Sequence, residues 1–198
     1  MNEILDHDFF AHEPMWVAKN LLGKILVSTI GGKKTSGIIV ETEAYLSSGD
    51  PACHGARGRT KSNASMFEQA GLAYVYPIHA KYCFNITTES EGMPSAVLIR
   101  AIEPTLNLPT MRMRRKQESV LQLCSGPGKL CQALGFNRSI DGINLTRRKK
   151  VWIEQNRSKI QPIKFFQTER IGVTSAKEMK LRFVIQGHRF ASGPKRLR

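Results

Sequence analysis

Acid is scarce in this sequence: 16 Asp and Glu stand against 30 Lys and Arg, a formal net charge of +14. A field of that sign attracts polyanions and makes nucleic acid the leading partner. A membrane surface is a poorer match, because no basic helix with a strong apolar face is evident and no run of 18 apolar residues occurs. Cysteine is also sparse. Cys53, Cys83, Cys124 and Cys131 form no CxxC pair and no CxxC…HxxxH spacing, which argues against structural zinc. The opening stretch "MNEILDHDFFAHEPMW" carries acids where a secretory signal needs positive charge, so the chain is expected in the reducing cytosol with free thiols. There is no internal repeat, low-complexity tract or linker. The 198 residues therefore read as one domain over 1–198, with a mobile basic tail from about 193.

What is present is enough for a real core, since 41% of residues are apolar and 23% charged. A chain of this length buries roughly 70% of its unfolded surface. "PMWVAKNLLGKIL" has apolar residues at helical spacing and stops at Gly23; the strand "KILVST" follows. Further strands are expected in residues 37–46, in "LAYVYPI" and "YCFNITT" flanking a bend at His79-Ala80-Lys81, and in "AVLIRAIEP", "KKVWIEQ" and "LRFVIQG". "LPTMRMRRKQESVLQL" is compatible with a helix, and "SGPGKLCQALGF" reads as a short helix capped by Ser125 and closed at Gly135. The order predicts an α+β fold with a mixed, mostly antiparallel curved sheet, flanking helices and long loops.

The strand over 37–46 is the unusual one. Alternation sends Ile38, Val40, Thr42, Ala44 and Leu46 to one face and Ile39, Glu41, Glu43 and Tyr45 to the other. A wet sheet face would explain Glu-x-Glu by itself. Against that, Tyr45 would waste apolar area in water, and the long loop "SSGDPACHGARGRTKSNAS" brings His54, Arg57, Arg59 and Lys61 near. Carboxylates among cations have their ionised form favoured, which suits orienting water or holding positive charge. Spacing alone does not choose between Glu41 and Glu43. Arg100, inside "AVLIRAI", must find a partner or face outward.

"VETEAYL", His54, Met66-Phe67, "YVY" (74–76), "YCFNI" (82–86), "VLIRAIEP" (97–104) and "GPGKLCQALGF" (126–136), in that order, resemble the alkyladenine (3-methyladenine) DNA glycosylase family. The resemblance implies a monofunctional repair enzyme that cuts the N-glycosidic bond of alkylated or deaminated purines in double-stranded DNA, without metal or cofactor. It implies that Glu43 activates the attacking water with Arg100 beside it. Tyr45, His54 and Tyr76 would enclose the flipped purine, and Asn85 would disfavour guanine. Carboxylate chemistry at a glycosidic bond agrees, because the sugar develops oxocarbenium character. Tyr74 reads as a core aromatic.

Base flipping needs a wedge. Here the chain departs from the family pattern: "PIHAK" replaces the usual Tyr followed by Gly-Met, which leaves His79, then Ile78, as the wedge. Phosphate contacts would fall to Arg57, Arg59 and Lys61, to "MRMRRK" (111–116) and "TRRKK" (146–150), and to Lys129 at a helix start. "GPGK" is not a nucleotide-binding loop, because Leu123 and Leu130 stand where the motif needs Gly and Ser or Thr. Lys81, near the bend, raises the possibility of a Schiff base, but nothing in the sequence indicates a lowered pKa there. The rival class is a non-catalytic basic module binding DNA or structured RNA through charge and exposed aromatics. Monomeric action is the simplest expectation.

Overall fold

The computed structural model describes residues 2–158 and 163–193, so the basic tail proposed from 193 onward lies, from residue 194, outside the described residues. Two helices come first, α1 (His7–Phe10) and α2 (Pro14–Leu21). Pro14 starts α2 where a missing N–H costs nothing, and the chain turns at Gly23, whose φ of 81° suits glycine. Strands β1 (Ile25–Ser28) and β2 (Thr35–Tyr45) follow. The loop after β2 contains two short 3₁₀ turns, His54–Arg57 and Ala64–Phe67, where only irregular chain was expected.

Next come the hairpin β3 (Ala73–Ile78) and β4 (Lys81–Thr88), then β5 (Ser95–Leu106). Helices α3 (Leu108–Arg115), α4 (Val120–Leu123) and α5 (Pro127–Leu134) precede β6 (Val151–Glu154), β7 (Phe165–Thr168) and β8 (Arg182–Ile185). Strand β7 was not foreseen; at four residues, and exposed on most of its length, it shows little alternation. Ser125 does not cap α5. Gly126 takes the N-cap position with φ 147°, and Ser125 forms an isolated bridge with Ala101 instead.

Among the described residues all eight strands join one sheet in the order β3-β4-β5-β2-β1-β6, with β8 also paired to β2 and β7 to β8. Each strand pairing is antiparallel. Strand β2 is the hub. Its first half pairs with β1 through Thr35–Ile38, its second half pairs with β8 through Glu41–Glu43, and β5 runs along its other edge.

The two faces of this sheet have different contents. Val40, Ala44, Val75, Phe84, Val97 and Ile99 belong to the main core, shared with α2 and α5. Thr42 sits on the same side and donates from Oγ1 to the Ala18 carbonyl of α2 at 2.9 Å. Phe84 lies 4.8 Å from Phe136 just beyond α5. The opposite face carries a second, smaller cluster of Cys53, Met66, Tyr74 and Ala96, with Tyr45, Phe67 and Tyr76 packed against it.

Ile39 breaks the expected alternation by joining the main core. The cause is a bulge: Ile39 and Glu41 pair with the adjacent Ile102 and Ala101, so two steps on β2 match one on β5. The compensating irregularity follows at once. Glu41 pairs with Ala101 and Thr42 with Ile99, leaving Arg100 as the extra residue on β5, opposite the two carboxylates.

Candidate active site

Two buried carboxylates with different partners stand at the centre of the small-cluster face. Glu41 has zero solvent exposure, and its oxygens are saturated. Oε1 accepts from Arg100 Nε (3.1 Å), Arg182 Nε (2.6 Å) and Ser192 Oγ (2.8 Å), while Oε2 accepts from the Ser192 backbone N–H at 2.6 Å. Glu43 is equally buried but less heavily bonded. Its Oε1 accepts from the Ile171 N–H at 2.7 Å, and its Oε2 meets the Tyr45 hydroxyl (3.0 Å) and Arg100 Nη1 (3.2 Å). Arg100 bridges both acids and also donates from Nη1 to the Ile171 carbonyl at 3.4 Å.

Burial is the main influence on Glu43 and raises its pKa above the ordinary 4.5; Arg100, the Ile171 N–H and the Tyr45 hydroxyl oppose it, and Glu41 adds to it. A carboxyl shifted in this direction is a stronger base than a free one. That property suits proton abstraction from water.

A further ion pair lies beside these. Arg170 grips Asp50 through Nη1 and Nη2 at 2.6 and 2.7 Å, donates to the Ala44 carbonyl at 3.1 Å, and stacks 4.7 Å from the Tyr45 ring centre. Glu41, Glu43 and Asp50 are thus matched in number by Arg100, Arg170 and Arg182 at this site.

Tyr45, His54, Met66, Tyr74, Tyr76, Asn85 and Ala96 surround an inner cavity of about 10 Å³. That is room for about one water. Outside it an open cleft of about 340 Å³ is bordered by His54, Arg57, Asn63, Tyr76 and Pro77. Glu43 lines neither space. The Tyr45 hydroxyl is its contact with the pocket side, so a purine reaches it only after the aromatic rings part.

The rings are held by each other. His54 Nδ1 is 2.7 Å from the Tyr74 hydroxyl, and the His54 ring meets Tyr76 edge-on at 4.5 Å. Tyr74 and Tyr76 alternate to the same side of β3, with ring centres 5.5 Å apart. Tyr74 is buried, as expected of a core aromatic, yet it also forms part of the pocket wall. Asn85 donates from Nδ2 to the Tyr74 carbonyl at 3.0 Å.

His54 is seated by Asn63, which donates to the His54 and Gly58 carbonyls at 3.1 and 3.0 Å and accepts from the Thr60 N–H at 2.6 Å. Burial first, and then Arg57, lower the His54 pKa, so the ring is neutral at pH 7.

The bend between β3 and β4 is a two-residue hairpin. Ile78 pairs with Lys81, and both central residues, His79 and Ala80, have positive φ (44° and 60°). This is the pattern of the primed turn, which normally demands Asn or Gly. His79 is exposed at the tip. Ile78 is 43% exposed and continues the face of Tyr74 and Tyr76.

The basic residues divide. Arg57 borders the cleft, Lys61 is exposed nearby, Arg59 pairs with Glu68, and Lys129 at the start of α5 donates to Gln122 Oε1 at 2.6 Å. The runs read as phosphate contacts are partly structural. Arg114 donates to the Ala133 and Ile30 carbonyls (3.2 and 2.6 Å), and Arg115 to the Leu123 carbonyl (3.1 Å). Arg148 donates to the Asn2 carbonyl at 2.8 Å and stacks on Trp152. Carbonyls at helix ends need donors, and these arginines are close in space.

Sequence reasoning missed Asp50, Arg170, Ile171, Arg182 and Ser192, and assigned cover of the carboxylates to the 47–65 loop alone. A usable signal existed for Arg182, which interrupts the apolar strand "LRFVI" just as Arg100 interrupts "AVLIRAI". The others sit in unremarkable turns. Among the described residues no group of three or more His, Cys, Asp or Glu is placed to hold a metal, and no helix is long and apolar enough to cross a membrane.

Comparison with known proteins gives a consistent picture. The model of the family described as Methylpurine-DNA glycosylase (MPG) matches residues 8–189. A Rhodopirellula baltica protein named "Putative 3-methyladenine DNA glycosylase" is 44% identical over 96% of this chain and 83% of its own length. Proteins of the same printed name from Francisella tularensis and Methanoculleus marisnigri are each 45% identical; the first covers 88% of this chain and 91% of the relative, the second 93% and 96%.

Proposed function

The chain belongs to the methylpurine-DNA glycosylase family, and from that premise we propose that it hydrolyses the N-glycosidic bond of alkylated or deaminated purines in duplex DNA, leaving an abasic site. The substrate class is 3-methyladenine, 7-methylguanine, hypoxanthine and etheno-adenine. The observation that carries the reading is Glu43, a buried carboxylate with a raised pKa, fixed by Arg100 and the Ile171 N–H behind an aromatic pocket.

The nucleotide rotates out of the stack while the hairpin tip, His79 with Ile78 next to it, fills the gap. The purine parts Tyr45, Tyr76 and His54 and stacks between them, with Asn85 at its edge. Movement of the Tyr45 hydroxyl frees Glu43 Oε2. The charge of that oxygen steadies the oxocarbenium-like sugar as the C1′–N bond breaks and its electron pair leaves with the purine, and the oxygen then takes the proton of the water that bonds to C1′. Arg100 holds Glu43 in place throughout. Arg57, Arg59, Lys61 and Lys129 meet phosphates, and each contact adds roughly 0.9 to the log–log salt slope. The protein acts as a monomer.

Single-turnover release of hypoxanthine and 3-methyladenine from lesion-bearing duplexes tests the proposal. Release of free base with an intact abasic strand is expected. A protein that binds undamaged DNA tightly and releases no purine would instead be a non-catalytic basic module. His79→Ala should reduce release from a duplex more than release from a single strand. Equal loss on both removes the wedge role.

A further inference from the structure

We propose that the Asp50–Arg170 pair behind Tyr45 biases the purine pocket toward neutral bases, such as hypoxanthine and etheno-adenine, and away from cationic N-methylated ones. The inference rests on the glycosylase reading and adds a selectivity element to it.

Arg170 is buried, and its guanidinium lies 4.7 Å from the centre of the Tyr45 ring. Arg170 lies over the Tyr45 ring without lining the cavity that Tyr45 borders, so the cation acts on a bound base through the ring rather than by touching it. It is also locked there. Two bonds to Asp50, at 2.6 and 2.7 Å, and one to the Ala44 carbonyl, at 3.1 Å, fix the plane of the fork. Asp50 in turn accepts from the Leu46 and Ala52 N–H groups, each at 3.1 Å, which spreads its charge away from the ring. The positive end of the pair therefore faces Tyr45.

The face of an aromatic ring attracts cations through its quadrupole. A cation already seated on one face draws π density toward itself and leaves less for a second cation on the other. A 3-methyladenine or 7-methylguanine nucleotide is such a second cation, whereas hypoxanthine and etheno-adenine are uncharged. The arrangement penalises the first class alone. Arg100 also acts on Tyr45, but it stays paired with Glu41 and Glu43 in every variant, so its effect cancels when each variant is read relative to the parent.

Two variants of opposite sign provide the test. Arg170→Gln with Asp50→Asn removes the cation and its counter-charge together and leaves neutral amides in their place. Asp50→Asn alone keeps the cation and removes its counter-charge. The quantity read is the ratio of single-turnover release rates, 7-methylguanine over hypoxanthine, relative to the parent.

The double variant should raise that ratio by about threefold and Asp50→Asn should lower it by a similar factor, the size of a partly desolvated cation–π effect. Both rates falling together at a constant ratio, or a ratio that moves the same way in both variants, overturns the proposal and leaves the pair a structural brace. If Asp50→Asn does not fold, the double variant decides alone. A parent that releases neither base refutes the glycosylase reading itself, a result distinct from an active parent whose ratio is insensitive to the pair.

Discussion

Replacing Glu43 by Gln isolates charge from shape. The amide keeps an oxygen for the Ile171 N–H, which now donates to Oε1 at 2.7 Å. Its nitrogen must then face the Tyr45 hydroxyl and Arg100 Nη1, now 3.0 and 3.2 Å from Oε2. The hydroxyl can rotate to accept, and Arg100 retains Glu41, so the fold survives. General-base contributions are typically about 10²- to 10⁴-fold. Purine release in single turnover should therefore fall at least about 100-fold, equivalent to about 2.7 kcal/mol. Affinity for undamaged duplex should stay within about twofold, because salt-sensitive phosphate contacts dominate it and Glu43 is fully buried.

Stability gives an independent check on the same variant. A carboxyl whose pKa is raised on folding contributes stability that is present below its unfolded value and lost as pH rises through the folded one. Gln mimics the protonated form at every pH. Glu43→Gln should therefore melt higher than the parent at pH 8, with the difference closing below about pH 4. In the parent, the acidic limb of the release profile should lie above pH 4.5. Release within threefold of the parent, or a lower melting temperature at pH 8, refutes the reasoning.

Three further outcomes follow from the geometry. Glu41→Gln should cost about 3 to 5 kcal/mol in urea unfolding, because it breaks a network that holds Arg182 and Ser192 as well as Arg100; a cost under about 1 kcal/mol would show the network to be dispensable. Ala80→Gly should stabilise the fold by about 0.5 kcal/mol, the relief of a positive φ less the extra unfolded-state freedom, and calorimetry showing a lower melting temperature would contradict the turn assignment. Gly55→Ala should push the His54 turn off Pro94, since an added Cβ would lie 2.7 Å from the Pro94 carbonyl oxygen. Purine release should drop several-fold while duplex affinity holds, and unchanged release would mean that the His54 position is not critical.

Much of the scaffold was legible because its signals are local. Gly23 and Gly135 end helices where positive φ is required, and β2 to β5 declare themselves by β-branched and aromatic alternation. The motif "VETEAYL" put two acids and a tyrosine on one strand face, and the structure keeps them there. The short strand β7 was invisible, because four exposed residues on a sheet edge have no buried face to impose a period. Ser125 misled as a cap because it lies one residue too early: it bridges to Ala101, and Gly126 takes the cap.

The sequence by itself determined the sign of the surface field and the main sheet strands, since composition and strand alternation are properties of neighbours along the chain; His54, Tyr76 and Asn85 were singled out only by the family resemblance. Only the tertiary structure decided how Glu41 differs from Glu43. Paired bulges aim Arg100 at both acids, and segments more than 120 residues downstream bring Ile171 to one and Arg182 with Ser192 to the other. The charge and hydrogen-bonding state of a buried acid depends on what surrounds it in space, and chain spacing does not encode that.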